Sequence, residues 1–114
     1  MTTWIGLVRF RSAAEGGRRS GAPPGPTFMA TAVPDLGGET ELLPGWPATG
    51  PQFSVLLEFL GRPDENGWAK ASVKALIEDA PGSEALCAGA ELIILEGSRE
   101  VARMLIDRDQ PDAE

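Results

Sequence analysis

The sequence predicts an all-β protein, an antiparallel barrel of six or seven short strands that is closed or nearly closed. Turn-forming residues are abundant, with 14 Gly and 10 Pro among 114 residues, which indicates many short elements. Several segments alternate apolar and polar residues with period two, and none shows a long helical period. Since a barrel leaves no strand edge open, it suits a chain with little else to cover its edges. We expect one barrel domain over residues 1–106 and an acidic flexible tail over residues 107–114.

The first half of the chain contains three candidate strands. In residues 4–12, Val8 and Phe10 alternate with Arg9 and Arg11, which is typical of a half-buried strand. Residues 13–26 are rich in Gly, Pro, Ala and Ser and predict a long loop. Alternation resumes over residues 27–33, which predict a second strand, and Pro34 is expected to end it. Residues 38–43 form a further short candidate.

The segment from residue 52 to residue 89 contains one clear strand and one ambiguous element. Residues 52–60 place four large apolar side chains on one face, Phe53, Val55, Leu57 and Phe59. Residues 68–77 alternate like a strand, although their Ala and Lys content would suit a helix; periodicity favours the strand. Residues 83–87 predict one helical turn.

The end of the chain predicts a β-hairpin over residues 91–96 and 99–107. Gly97 and Ser98 supply a two-residue turn of the kind that matches strand twist. The apolar run 92–95 indicates that both faces are buried. Counting outward from the turn gives three expected pairs: Glu96 with Arg99, Ile94 with Val101, and Ile93 with Ala102.

The residue inventory argues against catalysis. The chain has no His, no Tyr and one Cys, which excludes His-activated nucleophiles and the usual zinc sites. No phosphate-binding loop is present, so neither nucleotide nor other cofactor is expected. The carboxylate pairs Asp64/Glu65 and Glu78/Asp79 lie beside turn residues and are expected to be solvated. Cys87, in an apolar setting, is expected to be a small buried thiol.

The charge distribution is uneven. The net charge is −7, which disfavours general nucleic-acid binding, yet residues 1–32 carry four Arg against Glu15 alone. Either these arginines form a basic patch on an acidic body, or Arg9 and Arg11 are simply the outward face of a strand. With no signal-like start and no apolar run long enough to span a membrane, a cytoplasmic protein without membrane contact is expected.

Three local motifs occur in this order of elements. They are Ala14-Glu15-Gly16-Gly17-Arg18-Arg19, Gly25-Pro26-Thr27-Phe28 followed by Gly38-Glu39-Thr40-Glu41-Leu42, and Glu91-Leu92-Ile93-Ile94-Leu95-Glu96-Gly97-Ser98-Arg99-Glu100-Val101. Together they resemble the C-terminal β-barrel domain of elongation factor Tu and related translation GTPases, which implies a Greek-key barrel. The resemblance covers roughly residues 4–60 and 90–106, without any GTPase domain. The connection over residues 61–89 is longer than in the family, so an inserted strand or helix plus loop is expected there.

The resemblance implies a translation-related role. In the family this domain helps to hold the T-stem of aminoacyl-tRNA and packs against partner proteins. Carried over by position, Arg18 and Arg19 would meet the tRNA backbone, with Thr27 and the turn Gly97-Ser98 near the same surface. Ser98 departs from the family, which has a second Gly in this turn.

The function expected first is a non-catalytic binding module for an unknown protein partner. It would use a barrel face or the Gly/Pro-rich loops, with Trp46 or Trp68 as an anchor, although Trp46 could instead plug a barrel end. The alternative is binding of tRNA or another RNA backbone through Arg9, Arg11, Arg18 and Arg19. A small carboxylate-based enzyme is the second alternative.

Overall fold

The computed structural model describes residues 3–17, 25–35, 52–77, 83–97 and 99–107. The predicted strand over residues 38–43, Trp46 and the tail beyond residue 107 lie outside these ranges. Single turns of 3₁₀ helix occur at Ala13–Glu15 and Ser83–Ala85. The described residues form six strands: β1 (Trp4–Phe10), β2 (Thr27–Pro34), β3 (Phe53–Phe59), β4 (Trp68–Ala75), β5 (Glu91–Glu96) and β6 (Arg99–Ile106).

The six strands close into an antiparallel barrel in the order β1-β4-β3-β2-β5-β6, with β6 paired to β1. Strands β2, β3 and β4 follow one another, and β5 returns to lie beside β2, which is the Greek-key arrangement. The predicted all-β barrel is therefore confirmed. Strand β4 pairs with both β1 and β3, so the segment that the sequence left open between strand and helix is a strand of the barrel.

Alternation along each strand separates the barrel interior from its outer surface. On β3, Phe53, Val55 and Leu57 are buried in the main core, whereas Ser54 and Glu58 are exposed. The ambiguous segment resolves the same way: alternate residues of β4 from Ala69 to Ala75 point inward. Its Ala and Lys content does not make a helix because pairing on both sides outweighs that weak propensity.

The β5–β6 hairpin has buried side chains on both sides of its first strand. Leu92 and Ile94 belong to the main core. Ile93 and Leu95 point the other way, yet they are also fully buried in a second cluster with Val33 of β2. Burial on both faces explains the continuous apolar run. Pro34 is the last residue of β2, opposite Leu92, so the strand runs one residue further than predicted.

The predicted hairpin register is correct for the two pairs nearest the turn and wrong beyond them. Glu96 lies opposite Arg99 as expected, but Ile94 pairs with Ala102 and Ile93 with Arg103. A β-bulge between Ile94 and Leu95 adds one residue to β6. Because a bulge sets two residues against one, every later pair is displaced by one position, which counting from the turn could not reveal.

Candidate functional site

The described residues that the sequence singled out for binding lie at one end of the barrel. At this end β1, β3 and β5 finish and β2, β4 and β6 begin, because neighbouring strands are antiparallel. Arg9 lies near the end of β1 and Arg11 just beyond it, while Thr27 and Trp68 are the first residues of β2 and β4. Gly97 forms the turn of the last hairpin with a positive φ of 65°. Arg18, Arg19, Trp46 and Ser98 lie outside the described residues.

Arg9 connects two loops at this end. Its Nε donates a hydrogen bond to the backbone carbonyl of Asn66 at 3.1 Å, and its Nη2 lies 3.3 Å from Oε2 of Glu15. Its side chain also packs against Gly67, since a Cβ added there would lie 3.5 Å from the Arg9 Cγ and Nε. Arg9 therefore holds the loop after β1 to the loop before β4.

Glu15 and Ser12 form a reciprocal capping pair around the first 3₁₀ turn. The Ser12 N–H donates to Oε1 of Glu15 at 2.9 Å, and the Glu15 N–H donates to the Ser12 hydroxyl oxygen at 3.2 Å. This is the geometry of a capping box. The spacing of Ser12 and Glu15 was a signal for it that our sequence reasoning missed.

The contacts of Glu15 lower the pKa of its carboxyl. The hydrogen bond from the Ser12 N–H, followed by that from Arg9, lowers the pKa of Glu15 from its ordinary value of 4.5. Its contribution to stability is thus complete above pH 4.5 and is lost as the pH falls through the lowered folded-state pKa. We expect an NMR titration of the Glu15 side chain to show this lowered pKa. In Arg9→Gln the pKa should rise only part of the way, because the Ser12 bond remains; an unchanged pKa in that variant would contradict the assignment.

Asp64 organises the loop between β3 and β4. Its Oδ1 accepts hydrogen bonds from the N–H groups of Asn66 at 2.8 Å and Trp68 at 3.0 Å. These bonds define an Asx turn that closes the hairpin. Asp64 and Glu65 are exposed, as expected, and Asp64 has a structural role in addition. Glu78 and Asp79 lie outside the described residues.

The outer face of β4, β1 and β6 carries an exposed apolar pair. Leu7 lies directly opposite Leu105, and their neighbours across the sheet are Lys70 and Glu91. Leu7 is 42% exposed and Leu105 is 41% exposed. Two residues further along β1, Arg9 lies between its cross-strand partners, the half-buried Trp68 on β4 and Arg103 on β6.

Arg103 is the centre of an ion-pair network beside the leucines. Its Nη1 lies 2.5 Å from Asp35 and 3.0 Å from Glu91, and its Nε donates to Glu100 at 3.0 Å. Burial opposes its charge, but the bonds to Glu100 and Asp35 outweigh that effect and raise the pKa of the guanidinium. Arg11 also approaches Glu100, at 4.0 Å. A groove of about 400 Å³ runs over these residues, between Trp68 and Leu105.

The remaining chemically relevant groups are the thiol of Cys87 and side chains that could bind a metal ion. Cys87 is exposed, so the expectation of a buried thiol is wrong: its turn lies at the surface despite apolar neighbours in the sequence. Among the residues that the structure describes, no three His, Cys, Asp or Glu side chains are grouped so that they could hold a metal ion.

Comparison with known proteins provides no family for this chain. No protein-family model, no curated protein and no solved structure matches it. Within the described ranges, no helix is both long enough and apolar enough to cross a membrane. The resemblance to the translation-factor barrel therefore stays a prediction from the sequence motifs.

Proposed function

We propose that this chain is a non-catalytic module that binds a partner protein through the outer face of β4, β1 and β6. The observation that carries the proposal is the exposed cross-strand pair of Leu7 and Leu105. Outward positions of an antiparallel sheet that face water are ordinarily polar. Because these two leucines face outward from the core, we infer that they serve to contact a binding partner.

The surroundings of the leucine pair match the composition of protein interfaces. Trp68 and Arg9 stand beside it, and Trp and Arg are enriched among the residues that dominate binding energy. Lys70 and Glu91 flank it with opposite charges, which would set the orientation of a partner. The partner would present an apolar side chain to the groove and charges of both signs around it.

The test is recovery of binding proteins from host lysate on the immobilised full chain. The variant Leu7→Glu with Leu105→Lys removes the apolar pair but alternates charge across the sheet with Lys70 and Glu91, so folding should tolerate it. Met29→Glu with Ile77→Lys is the matched control, since these side chains are 68% and 66% exposed and neither is paired with Leu7 or Leu105. We expect a specific protein whose recovery falls at least tenfold, roughly the effect of a hot-spot residue, in the first variant alone.

The same experiment distinguishes the RNA alternative. Half of the lysate is treated with RNase, and retention is measured at two salt concentrations. A protein retained in both halves and lost with the leucine pair supports the proposal. Equal retention by both variants contradicts it, and bound RNA whose affinity falls steeply with salt would favour RNA-backbone binding instead.

A further inference from the structure

A separate cavity opens at the barrel end described above. Its volume is about 470 Å³, within the range of pockets that hold small molecules. Its walls come from the end of β1, from Phe59 of β3, from the start of β4 and from the loops at residues 12–15 and 61–67. Leu7 and Leu105 are not part of its lining, although Arg9 and Arg11 border both this cavity and the groove beside the leucine pair. Phe10, Phe59 and Arg62 line the cavity and not the groove.

The floor of the cavity is apolar and contains aromatic rings. Val8 and Ala69 are buried core residues that also line it. Phe10 lies beside Phe59, with ring centroids 5.9 Å apart, and meets Phe28 edge-on at 5.5 Å. Such a floor favours a flat, apolar group over water.

The rim of the cavity is positively charged. Among the described residues that line it, Arg9, Arg11 and Arg62 stand against one carboxylate, that of Glu15. Glu15 is already engaged by the Ser12 N–H and by Arg9. Arg62 is exposed and has no hydrogen-bond or ion-pair partner among the described parts of the chain. Within the described residues, the rim therefore offers an unpaired guanidinium to an anion.

We propose that this cavity binds a small organic acid with an aromatic or other flat apolar body and one carboxylate. The apolar body would lie against Phe10 and Phe59, and the carboxylate would face Arg62. A guanidinium suits this role because its planar fork donates two parallel hydrogen bonds to a carboxylate. The contacts of Arg9 with Asn66 and Glu15 fix the two flanking loops, so the cavity is formed before the ligand arrives.

The test is an NMR titration of the ¹⁵N-labelled full chain with 2-naphthoate, with neutral 2-naphthol as the matched probe. We expect saturable shift changes concentrated at the cavity lining and clearly weaker binding of the naphthol. Arg62→Gln should lower the affinity for 2-naphthoate about tenfold, the lower end of the effect of a charge-assisted hydrogen bond. Lys74→Gln, which removes the same charge from a strand position outside the lining, should change the affinity less than about twofold.

Three results would overturn the proposal. The first is the absence of saturable shifts at the lining up to millimolar 2-naphthoate. The second is equal binding of 2-naphthol, which would remove any role for the rim charge. The third is an equal effect of Arg62→Gln and Lys74→Gln, which would show that the net charge of the chain, rather than this rim, attracts the acid.

Discussion

Replacing Gly6 by Ala is expected to destabilise the barrel by about 3 kcal/mol or more, the upper range for overpacking. Gly6 lies in β1 opposite Ile106 of β6. A Cβ at Gly6 would overlap the carbonyl oxygen of Leu105 and lie 2.9 Å from Cα of Ile106. Both are backbone atoms, so no side-chain rotation can relieve the clash, and the β1–β6 pairing that closes the barrel must separate.

Urea unfolding of Gly6→Ala and Gly61→Ala measures this effect. At Gly61 an added Cβ meets no atom within 4 Å, so that variant should be neutral or slightly stabilised, because Ala restricts the unfolded chain. A similar unfolding midpoint for the two variants would contradict this prediction, because it would show that β1 and β6 can accommodate a Cβ at residue 6 without loss of stability.

Replacing Leu57 by Ala is expected to cost about 2–5 kcal/mol of unfolding free energy. Leu57 is the fully buried inward residue near the centre of β3, and β3 pairs on both sides. Its truncation removes apolar burial and leaves a cavity that strands held on both sides cannot fill by moving. Since small domains have only about 5–15 kcal/mol of stability, this single change would remove a large part of it.

Leu60→Ala is the control for Leu57→Ala, since Leu60 is 47% exposed just beyond the same strand. Chemical denaturation followed by Trp fluorescence should show a midpoint shift for Leu57→Ala several times that for Leu60→Ala. Equal shifts would mean that the interior is not packed around Leu57.

The strands could be predicted from the sequence because their signal is local. Phe53, Val55 and Leu57 alternate with polar residues, so one face of this segment must be buried whatever lies opposite it. The same rule assigned β4 correctly against its Ala and Lys content. The Gly97 turn likewise follows from the preference of hairpin turns for Gly at positive φ.

The candidate sites were only partly predictable. Arg9, Arg11 and Trp68 were named from the sequence, and all three lie at or beside the groove and the cavity. Leu105 and Arg62 were missed because nothing local distinguishes an exposed Leu or a loop Arg. Cys87 was misjudged because apolar neighbours in the sequence do not determine which way a short turn faces.

The sequence by itself determined the all-β class, the position of each described strand and the turn of the last hairpin, since these depend on neighbouring residues. Only the tertiary structure decided the order of strands around the barrel, the one-residue shift at the bulge and the pairing of Leu7 on β1 with Leu105 on β6. The physical reason is that pairing joins segments distant in the chain, and its register depends on the packing of all six strands together.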